Sequence, residues 1–372
     1  MRTQFALGFS FCYTVSRMAK KKEENSVREE NHVLYRKYRS QSFADVLGQN
    51  HITSVLQKSL ETGKVAHAYL FTGSRGIGKT SVARIFAKEL GTSANDLYEI
   101  DAASNNKVED VHLLREGVRT LPFDSKYKVY ILDEVHMLSK AAFNALLKTL
   151  EEPPAHVIFI LATTELEKVP DTIVSRCQLF TFKKPTDALL RELVVDIAKK
   201  EGFTIDTSGA ELIALLGDGS FRDTEGVLEK VLSFASGKKI SVEEIESITG
   251  APSRTLVYAV LNAIGEKDLQ KALMSVGQAE QQNTDMKLFL KLLVHLFRMA
   301  LVIRVAPSYQ VLLSEISDTD KRELESLVQA HKEMITSANL EKILGSYQHM
   351  RHSFIQSLPL ELALIDIIGP TA

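Results

Sequence analysis

Short apolar runs alternate along the first half of the chain with segments whose apolar residues recur every three or four positions. The runs predict strands at residues 68–71, 97–101, 129–134, 157–162 and 178–182. Runs of about four to eight apolar residues between turn residues are typical of strands buried on both faces of a parallel sheet. The periodic segments predict helices at residues 50–62, 81–88, 109–121 and 139–150. We therefore expect an α/β fold, with helices flanking a parallel sheet.

The pattern changes after Lys183-Lys184-Pro185, where helical periods replace the strands. Helices are predicted at residues 187–201, 208–217, 222–235 and 242–248. From Pro252 onward the pattern is helical throughout, with interruptions at Pro307 and Pro359. This predicts three folded parts, at residues 33–183, 184–249 and 250–372, of which the last has the look of an assembly surface.

The N-terminal 32 residues are interpreted as an extension. An apolar stretch from Phe5 to Val15 weakly resembles a signal peptide, but no small-residue cleavage site follows it. Met18 followed by Ala19 and three lysines is more typical of a true start, so we expect residues 1–17 to be a wrongly assigned extension. Residues 19–31 are strongly charged, which predicts disorder.

Composition narrows the class of protein. Of 372 residues, 45% are hydrophobic and 25% are charged, as in ordinary globular proteins. A net charge of -2 argues against a protein that coats nucleic acid, though not against a local contact. Cys12 and Cys177 are too few for a four-cysteine metal site or a disulfide framework, which fits a cytoplasmic location. The most apolar predicted helix, residues 285–305, carries five basic residues, so no membrane span is expected.

The first predicted strand leads into a glycine-rich loop with the pattern G-x-x-x-x-G-K-[ST]. Because a strand precedes the loop and a helix follows it, nucleotide binding is favoured over a plain turn. Lys79 is expected to reach the β- and γ-phosphates, and the Thr80 hydroxyl to ligate Mg²⁺. The predicted cofactors are therefore ATP and Mg²⁺. The predicted nucleotide contacts of this loop are Gly73, Ser74, Arg75, Gly76, Ile77, Gly78, Lys79, Thr80 and Ser81.

Carboxylates end the strand at residues 129–134. Asp133 is placed to hold Mg²⁺, and Glu134 to polarise the water that attacks the γ-phosphate. The alternative is that both simply cap the next helix. Thr163 and Thr164 end the following strand, where one of them can sense the γ-phosphate or merely cap the strand.

The roles of three further sites stay open on the residues alone. Arg176 can form a surface ion pair or reach a neighbouring subunit's ATP as an arginine finger. The segment before the loop can be a basic surface strip, or it can wall the adenine with Val46 and Leu47 as apolar contacts. Arg222, at the start of a predicted helix, would point toward the nucleotide if that region forms a lid.

Longer strings resemble one family, the gamma/tau subunits of bacterial DNA polymerase III, which are clamp-loader ATPases of the AAA+ superfamily. The matching strings lie within residues 38–49, 67–80, 99–104, 133–139, 143–154, 161–165 and 175–177. The resemblance implies an AAA+ P-loop nucleotide-binding domain at residues 33–183, a helical lid at 184–249 and an all-α oligomerisation collar at 250–372.

The resemblance also implies roles for the matching residues. They are Lys79 and Thr80 in the phosphate loop, Asp133 and Glu134 as magnesium and catalytic acids, Thr164 or Thr163 as first sensor, Arg176 as an arginine finger acting in trans, and Arg222 as the lid's second sensor. The implied partners are other clamp-loader subunits in a hetero-pentamer, the sliding clamp, and primer–template DNA contacted through its phosphates. A lone monomer would then be a poor ATPase.

Four departures from the family pattern are visible. Residues 91–95 stand where the family usually carries a four-cysteine zinc module, so no zinc site is expected. Ser40 replaces a usual proline, and Thr224-Glu225-Gly226 replaces the usual alanine-hydroxyl pattern after Asp223. The sequence also stops after the collar, as in the short form of the family.

The expected function is therefore that of an ATP-hydrolysing clamp-loader subunit. Two alternatives are a different AAA+ DNA motor and a scaffold subunit that binds ATP without turnover. The run from Asp133 to Ser139 argues against the first, and an intact Lys79, Glu134 and Arg176 against the second. No metal-carboxylate constellation of a polymerase is visible, so polymerase activity would belong to a larger assembly.

Overall fold

The computed structural model describes residues 33–106, 108–282, 284–309, 316–350 and 353–369, so the extension expected at residues 1–32 lies outside the described residues. The chain divides into two compact units. The first runs up to Pro185 and also includes Ser220–Gly226, and the second comprises Thr186–Gly219 and everything from Val227 onward. The separate lid and collar domains stay a prediction.

A five-stranded parallel sheet organises the first unit. Its strands are β1 (Ala68–Thr72), β2 (Leu97–Asp101), β3 (Lys128–Asp133), β4 (Val157–Thr163) and β5 (Gln178–Thr181). Their order across the sheet is β2-β3-β4-β1-β5. Every residue of β1 and β4 is buried, as their apolar runs predict. Since the strands are parallel, their carboxyl ends lie along one edge of the sheet.

Helices cover both faces of this sheet. They are α1 (Leu34–Lys37), α2 (Asn50–Glu61), α3 (Lys79–Glu89), α4 (Val108–Val118), α5 (Lys140–Glu151) and α6 (Asp171–Val174). Successive side chains of a strand point to opposite faces. Accordingly Leu70 packs with residues of α4 and α5, whereas Tyr69 and Phe71 pack with residues of α2 and α3. The predicted α/β sandwich is confirmed. Ser139 caps α5, because its side chain accepts a hydrogen bond from the Ala142 N–H.

The second unit is mainly helical among its described residues. It contains α7 (Asp187–Lys200), α8 (Thr207–Leu216), most of α9 (Phe221–Phe234), α10 (Val242–Thr249), α11 (Arg254–Glu266), α12 (Leu269–Gln281), α13 (Met286–Val305), α14 (Asp318–Ala330), α15 (Ser337–Met350) and α16 (Leu358–Ile368). No helix within the described ranges is both long and apolar enough to cross a membrane.

One expectation for this region is wrong. Helices alone were expected between residues 186 and 246, but the two-residue strands β6 (Thr204–Ile205) and β7 (Lys239–Ile240) pair in parallel there. Strands this short carry no detectable alternation of apolar and polar residues. The two expected interruptions are present, since α13 ends shortly before Pro307 and α16 begins next to Pro359. Pro359 lies in the first turn of α16, where its missing N–H leaves no intrahelical hydrogen bond unmade.

Candidate nucleotide-binding site

The glycine-rich loop joins β1 to α3 through backbone conformations that favour glycine. Gly76 has a φ of +72°, and a Cβ there would overlap the Ser220 hydroxyl and lie 3.3 Å from Cβ of Arg222. Gly78 precedes α3 with a φ of +100° and caps it without a side-chain hydrogen bond. The amide groups of the first turn of α3 are therefore available to an anion at the positive end of the helix dipole.

Lys79 folds back over this loop. Its Nζ donates to the carbonyl oxygens of Gly73 at 2.7 Å and Ser74 at 2.8 Å. The residue is only 5% exposed. Burial lowers the pKa of its ammonium group, while the nearby carboxylates of Glu134 and Asp133 act in the opposite direction. The loop thus holds a buried cation beside two acids, and the cation's present acceptors are backbone carbonyls.

Thr80 and Asp133 are in direct contact. The Thr80 hydroxyl donates to Oδ2 of Asp133 at 2.8 Å, across the end of β4, which lies between β1 and β3. A hydroxyl and a carboxylate suit Mg²⁺, which in phosphate sites takes one or two protein oxygens and completes its shell with phosphate and water. No group of three or more His, Cys, Asp or Glu side chains within the described ranges forms a metal cage. The residues present therefore fit a nucleotide-bound Mg²⁺.

Glu134 follows Asp133 in a left-handed backbone conformation, with φ 49° and ψ 46°. Its Oε2 accepts from the Thr164 hydroxyl at 3.0 Å and from the Thr164 N–H at 3.3 Å. Thr163 is fully buried, and its hydroxyl lies 3.1 Å from Nδ1 of His136. The geometry therefore brings Thr164, rather than Thr163, against the carboxylate.

The start of α9 lies against the glycine-rich loop within the first unit. The backbone N–H groups of Phe221 and Arg222 point at the Gly76 carbonyl oxygen, at 3.0 and 3.4 Å. The Arg222 guanidinium lies over the Tyr35 ring, 5.8 Å from its centroid. Arg222 also interacts electrostatically with Lys79. The structure thus brings Arg222 to the loop, while its role as a second sensor stays a prediction. It also adds Tyr35, an aromatic residue for which sequence reasoning gave no role.

A buried acid accompanies these cations. Glu225 is 8% exposed and lies one helical turn after Arg222. Burial raises its pKa to about 7, although Arg39 and Arg222 act to lower it. The Glu225 departure was visible in the sequence, but its burial among arginines was not. In the sequence, Arg39 stands out only as part of the family-like string at residues 38–49.

Arg176 makes its contacts elsewhere in the first unit. Its Nη2 lies 2.7 Å from Oε1 of Glu151, and its Nη1 donates to the Thr172 carbonyl at 2.7 Å. Both partners of the ion pair are partly exposed. Val46 packs into the core beside α2, whereas Leu47 is 39% exposed. Their contact with adenine stays a prediction.

Comparison with known proteins gives one family match and many relatives. A family model described as "DNA polymerase III, delta subunit" matches residues 48–99 and 91–186. The chain is 40% identical to the DNA polymerase III subunit tau of Bacillus subtilis over 90% of this chain and 62% of that protein. It is 37% identical to the subunit gamma of Buchnera aphidicola subsp. Baizongia pistaciae, covering 75% of this chain and 81% of that protein. For the gamma subunit of Buchnera aphidicola subsp. Acyrthosiphon pisum the identity is 30%, covering 91% and 98%.

Among solved structures, the chain is similar to the Holliday junction branch migration motor RuvB of Thermotoga maritima. The TM-score is 0.50 at 21% identity, with 61% of this chain and 79% of that chain covered. At this identity the likeness shows the fold alone, a P-loop α/β domain. The chain spans 62% of the length of the Bacillus relative, so what that whole protein does is not transferred by the match itself.

Proposed function

Because this chain belongs to the family of DNA polymerase III gamma and tau subunits, we propose that it is an ATP-hydrolysing motor subunit of a clamp loader. In this proposal it binds ATP with Mg²⁺, opens a sliding clamp and releases it, closed, on primed DNA. The observation that carries the proposal is the joint arrangement of Lys79, Thr80, Asp133 and Glu134 at one edge of the sheet.

Nucleotide binding is supported by the loop and the helix that follows it. The amides of the first turn of α3 offer hydrogen bonds to phosphate oxygens, and Lys79 can exchange its two carbonyl acceptors for them. Arg222 stands against the same loop and can add a second positive charge. Thr80 and Asp133 would hold Mg²⁺, which when bound offsets the negative charge of the phosphates.

Hydrolysis needs a base near the terminal phosphate. Glu134 is suited to accept a proton from water, because its carboxylate is close enough to Lys79 to affect the pKa of that ammonium group. Its backbone N–H also donates to Oδ1 of Asp133 at 3.0 Å. Thr164 orients that carboxylate through two hydrogen bonds, from its N–H and its hydroxyl. Thr164, just after the end of β4, is therefore proposed as the residue that senses whether the γ-phosphate is present and positions Glu134 accordingly.

Arg176 is proposed to act on the ATP of a neighbouring subunit. Its partly exposed pair with Glu151 is of a kind that contributes only about 0–1 kcal/mol, so the guanidinium can leave it for a phosphate. Hydrolysis would then depend on assembly. The proposed partners are related clamp-loader subunits, the sliding clamp, and primer–template DNA bound through its phosphates rather than its bases.

The test is steady-state ATP hydrolysis by the full chain mixed with its candidate partner subunits, with and without sliding clamp and primed DNA. We expect strong stimulation by clamp and DNA together. Arg176→Ala should abolish the stimulation while nucleotide binding, followed with a fluorescent ATP analogue, survives. Full activity from the isolated chain, or no response to the clamp, would overturn the proposal in favour of a different AAA+ motor. Nucleotide binding without turnover in every mixture would favour a scaffold subunit.

A further inference from the structure

The imidazole of His136 lies beside Glu134, although no motif gave it a role. His136 belongs to the 3₁₀ turn Val135–Met137, which follows β3, and its side chain is 7% exposed. Its Nδ1 lies 3.1 Å from Oγ1 of Thr163 and 3.4 Å from Oε2 of Glu134. Its Nε2 lies 3.2 Å from Oε1 of Glu165. One buried ring therefore stands between Glu134 and the segment that ends β4.

That segment is the one that also holds Glu134 directly. Thr164 donates twice to the Glu134 carboxylate oxygen that faces His136. The Glu165 N–H donates to the Thr163 hydroxyl at 3.0 Å, and the Glu165 carboxylate pairs with Lys168 at 2.6 Å. The segment is thus braced by its own hydrogen bonds. Because the His136 ring contacts both this segment and Glu134, a movement of the segment can move the Glu134 carboxylate.

Glu134 needs such bracing because of its backbone. A residue other than glycine in the left-handed region is strained by about 1–2 kcal/mol, and the conformation persists only where neighbouring groups fix it. His136 lies two residues further along the same turn, so its anchorage to Thr163 and Glu165 also restrains the backbone that carries Glu134. The side chain and the backbone of Glu134 are therefore restrained from one side by the same ring.

We propose that His136 is a positioning residue for Glu134, which ties the Glu134 carboxylate to the Thr163–Glu165 segment so that base and segment move together. The inference rests on the proposed function, because it matters only if Glu134 activates water. It predicts that losing the ring slows turnover without weakening nucleotide binding. A histidine that merely fills the interior would instead affect stability and binding along with turnover.

The variants separate the two ends of the ring. His136→Ala removes the contacts of both ring nitrogens, His136→Asn retains a polar group near the position of Nδ1, and His136→Gln retains one near that of Nε2. We expect His136→Ala to lower kcat about tenfold or more, part of the ~100-fold or greater effect of a positioned general base, with KM unchanged. His136→Asn should recover activity, since it can still reach Thr163 and Glu134.

His156 offers a matched control in the same unit. Its Nε2 lies 3.2 and 3.1 Å from the carbonyl oxygens of Val118 and Thr120, and the residue directly precedes the opposite end of β4. His156→Ala removes an imidazole from the same sheet without touching Glu134. It should keep kcat and KM, even if it lowers the melting temperature.

The experiment is ATP hydrolysis by the full chain assembled with its partner subunits, together with binding of a fluorescent ATP analogue and thermal unfolding. Glu134→Gln is combined with His136→Ala in a double-mutant cycle. Since His136 acts through Glu134, the second substitution should add nothing to the first.

Any of three results would overturn the inference alone. One is an unchanged kcat in His136→Ala. The others are independent, multiplicative effects of the two substitutions, and a loss of nucleotide affinity and stability that neither His136→Asn nor His136→Gln restores. If the unsubstituted assembly hydrolyses no ATP, the proposed function fails and this inference fails with it.

Discussion

The hydroxyl of Thr80 donates a hydrogen bond to Oδ2 of Asp133 at 2.8 Å, although 53 positions separate the two residues. Thr80 is the second residue of α3, and Asp133 is the last of β3. The parallel sheet brings them together because both lie at the carboxyl edge of the strands. The contact aligns two oxygens that Mg²⁺ can share with a phosphate.

Thr80→Val should therefore weaken the binding of Mg²⁺. The variant keeps the shape of the side chain but loses the hydroxyl that faces Asp133. We expect ATP hydrolysis to fall and the Mg²⁺ concentration for half-maximal rate to rise in a titration at fixed ATP. Thr92→Val is the control, because within the described residues the buried Thr92 hydroxyl has no hydrogen-bond partner. Equal Mg²⁺ curves for the two variants would contradict the assignment of Thr80.

Gly76→Ala should disturb the loop through both strain and crowding. Its left-handed φ is unfavourable for alanine, and the new methyl group would overlap the Ser220 hydroxyl. We expect the affinity for ATP, measured by titration with a fluorescent analogue, to fall about tenfold or more, matching a strain of roughly 1–3 kcal/mol. Gly63→Ala is the control, since Gly63 has a similar φ of +67° but open space around its Cα. Undiminished affinity in Gly76→Ala would show that the loop tolerates a side chain there.

Glu225 should make the stability of the first unit depend on pH. Burial raises its pKa to about 7, despite Arg39 and Arg222. Unfolding returns it to the ordinary value of about 4.3, so the stability that its protonated form confers is complete below that pH and is lost as pH rises through about 7. Glu225→Gln should therefore gain stability relative to the unsubstituted chain at pH 8, by at most about 4 kcal/mol, and little at pH 4.

The measurement is denaturant unfolding of both proteins across that pH range. Glu211, in the second unit, also has a pKa raised by burial to about 7, so part of the slope should remain until Glu211→Gln is added. The exposed Glu89→Gln serves as a control for the loss of one charge. Parallel pH curves for Glu225→Gln and the unsubstituted chain would contradict the prediction.

Arg254 should be essential to the stability of the second unit. Its guanidinium contacts Asp320 and lies 3.5 Å from Glu211. Asp320 also accepts from the Tyr258 hydroxyl at 2.6 Å and from the Ser317 hydroxyl at 2.7 Å. Arg254→Met would leave buried carboxylates without their cation, which typically destabilises a protein by roughly 3–5 kcal/mol.

Thermal and denaturant unfolding would measure that loss. Adding Asp320→Asn and Glu211→Gln to Arg254→Met should restore much of the stability, because the uncompensated charges are then gone. Lys200→Met, which breaks the exposed pair with Asp196 in the same unit, is the control. A loss in Arg254→Met as small as that of the control, about 1 kcal/mol or less, would mean that water reaches the network.

The fold of the first unit was largely predictable because its buried strands leave uninterrupted apolar runs. The glycine-rich loop, Asp133 and Glu134 could be chosen as candidates from the sequence, since a contiguous motif or a strand end marks each of them; their roles stay predictions. His136 and Tyr35 were missed for the opposite reason. Thr163 and Glu165, which contact His136, and Arg222, which lies over Tyr35, are far along the chain from them. A single histidine or tyrosine carries no local sequence signal of such contacts.

Arg176 shows where sequence spacing stops being informative. The sequence left open a surface ion pair and a finger acting in trans, and the structure shows the pair with Glu151 within one chain. That pair does not decide between the two roles, because a finger is engaged only by a neighbour. The short strands β6 and β7 were invisible because two residues are too few to display a period.

The position of β1 has a consequence for synthesis on the ribosome. β1 pairs with β4 on one side and β5 on the other. The first strand in the sequence can therefore form its hydrogen bonds only after roughly a hundred further residues have been translated. The same compact unit also takes in Ser220–Gly226. A nascent chain halted near Pro185 would therefore lack the segment that packs against Gly76. A fragment cut there for laboratory expression would lack the residues that contact its own glycine-rich loop.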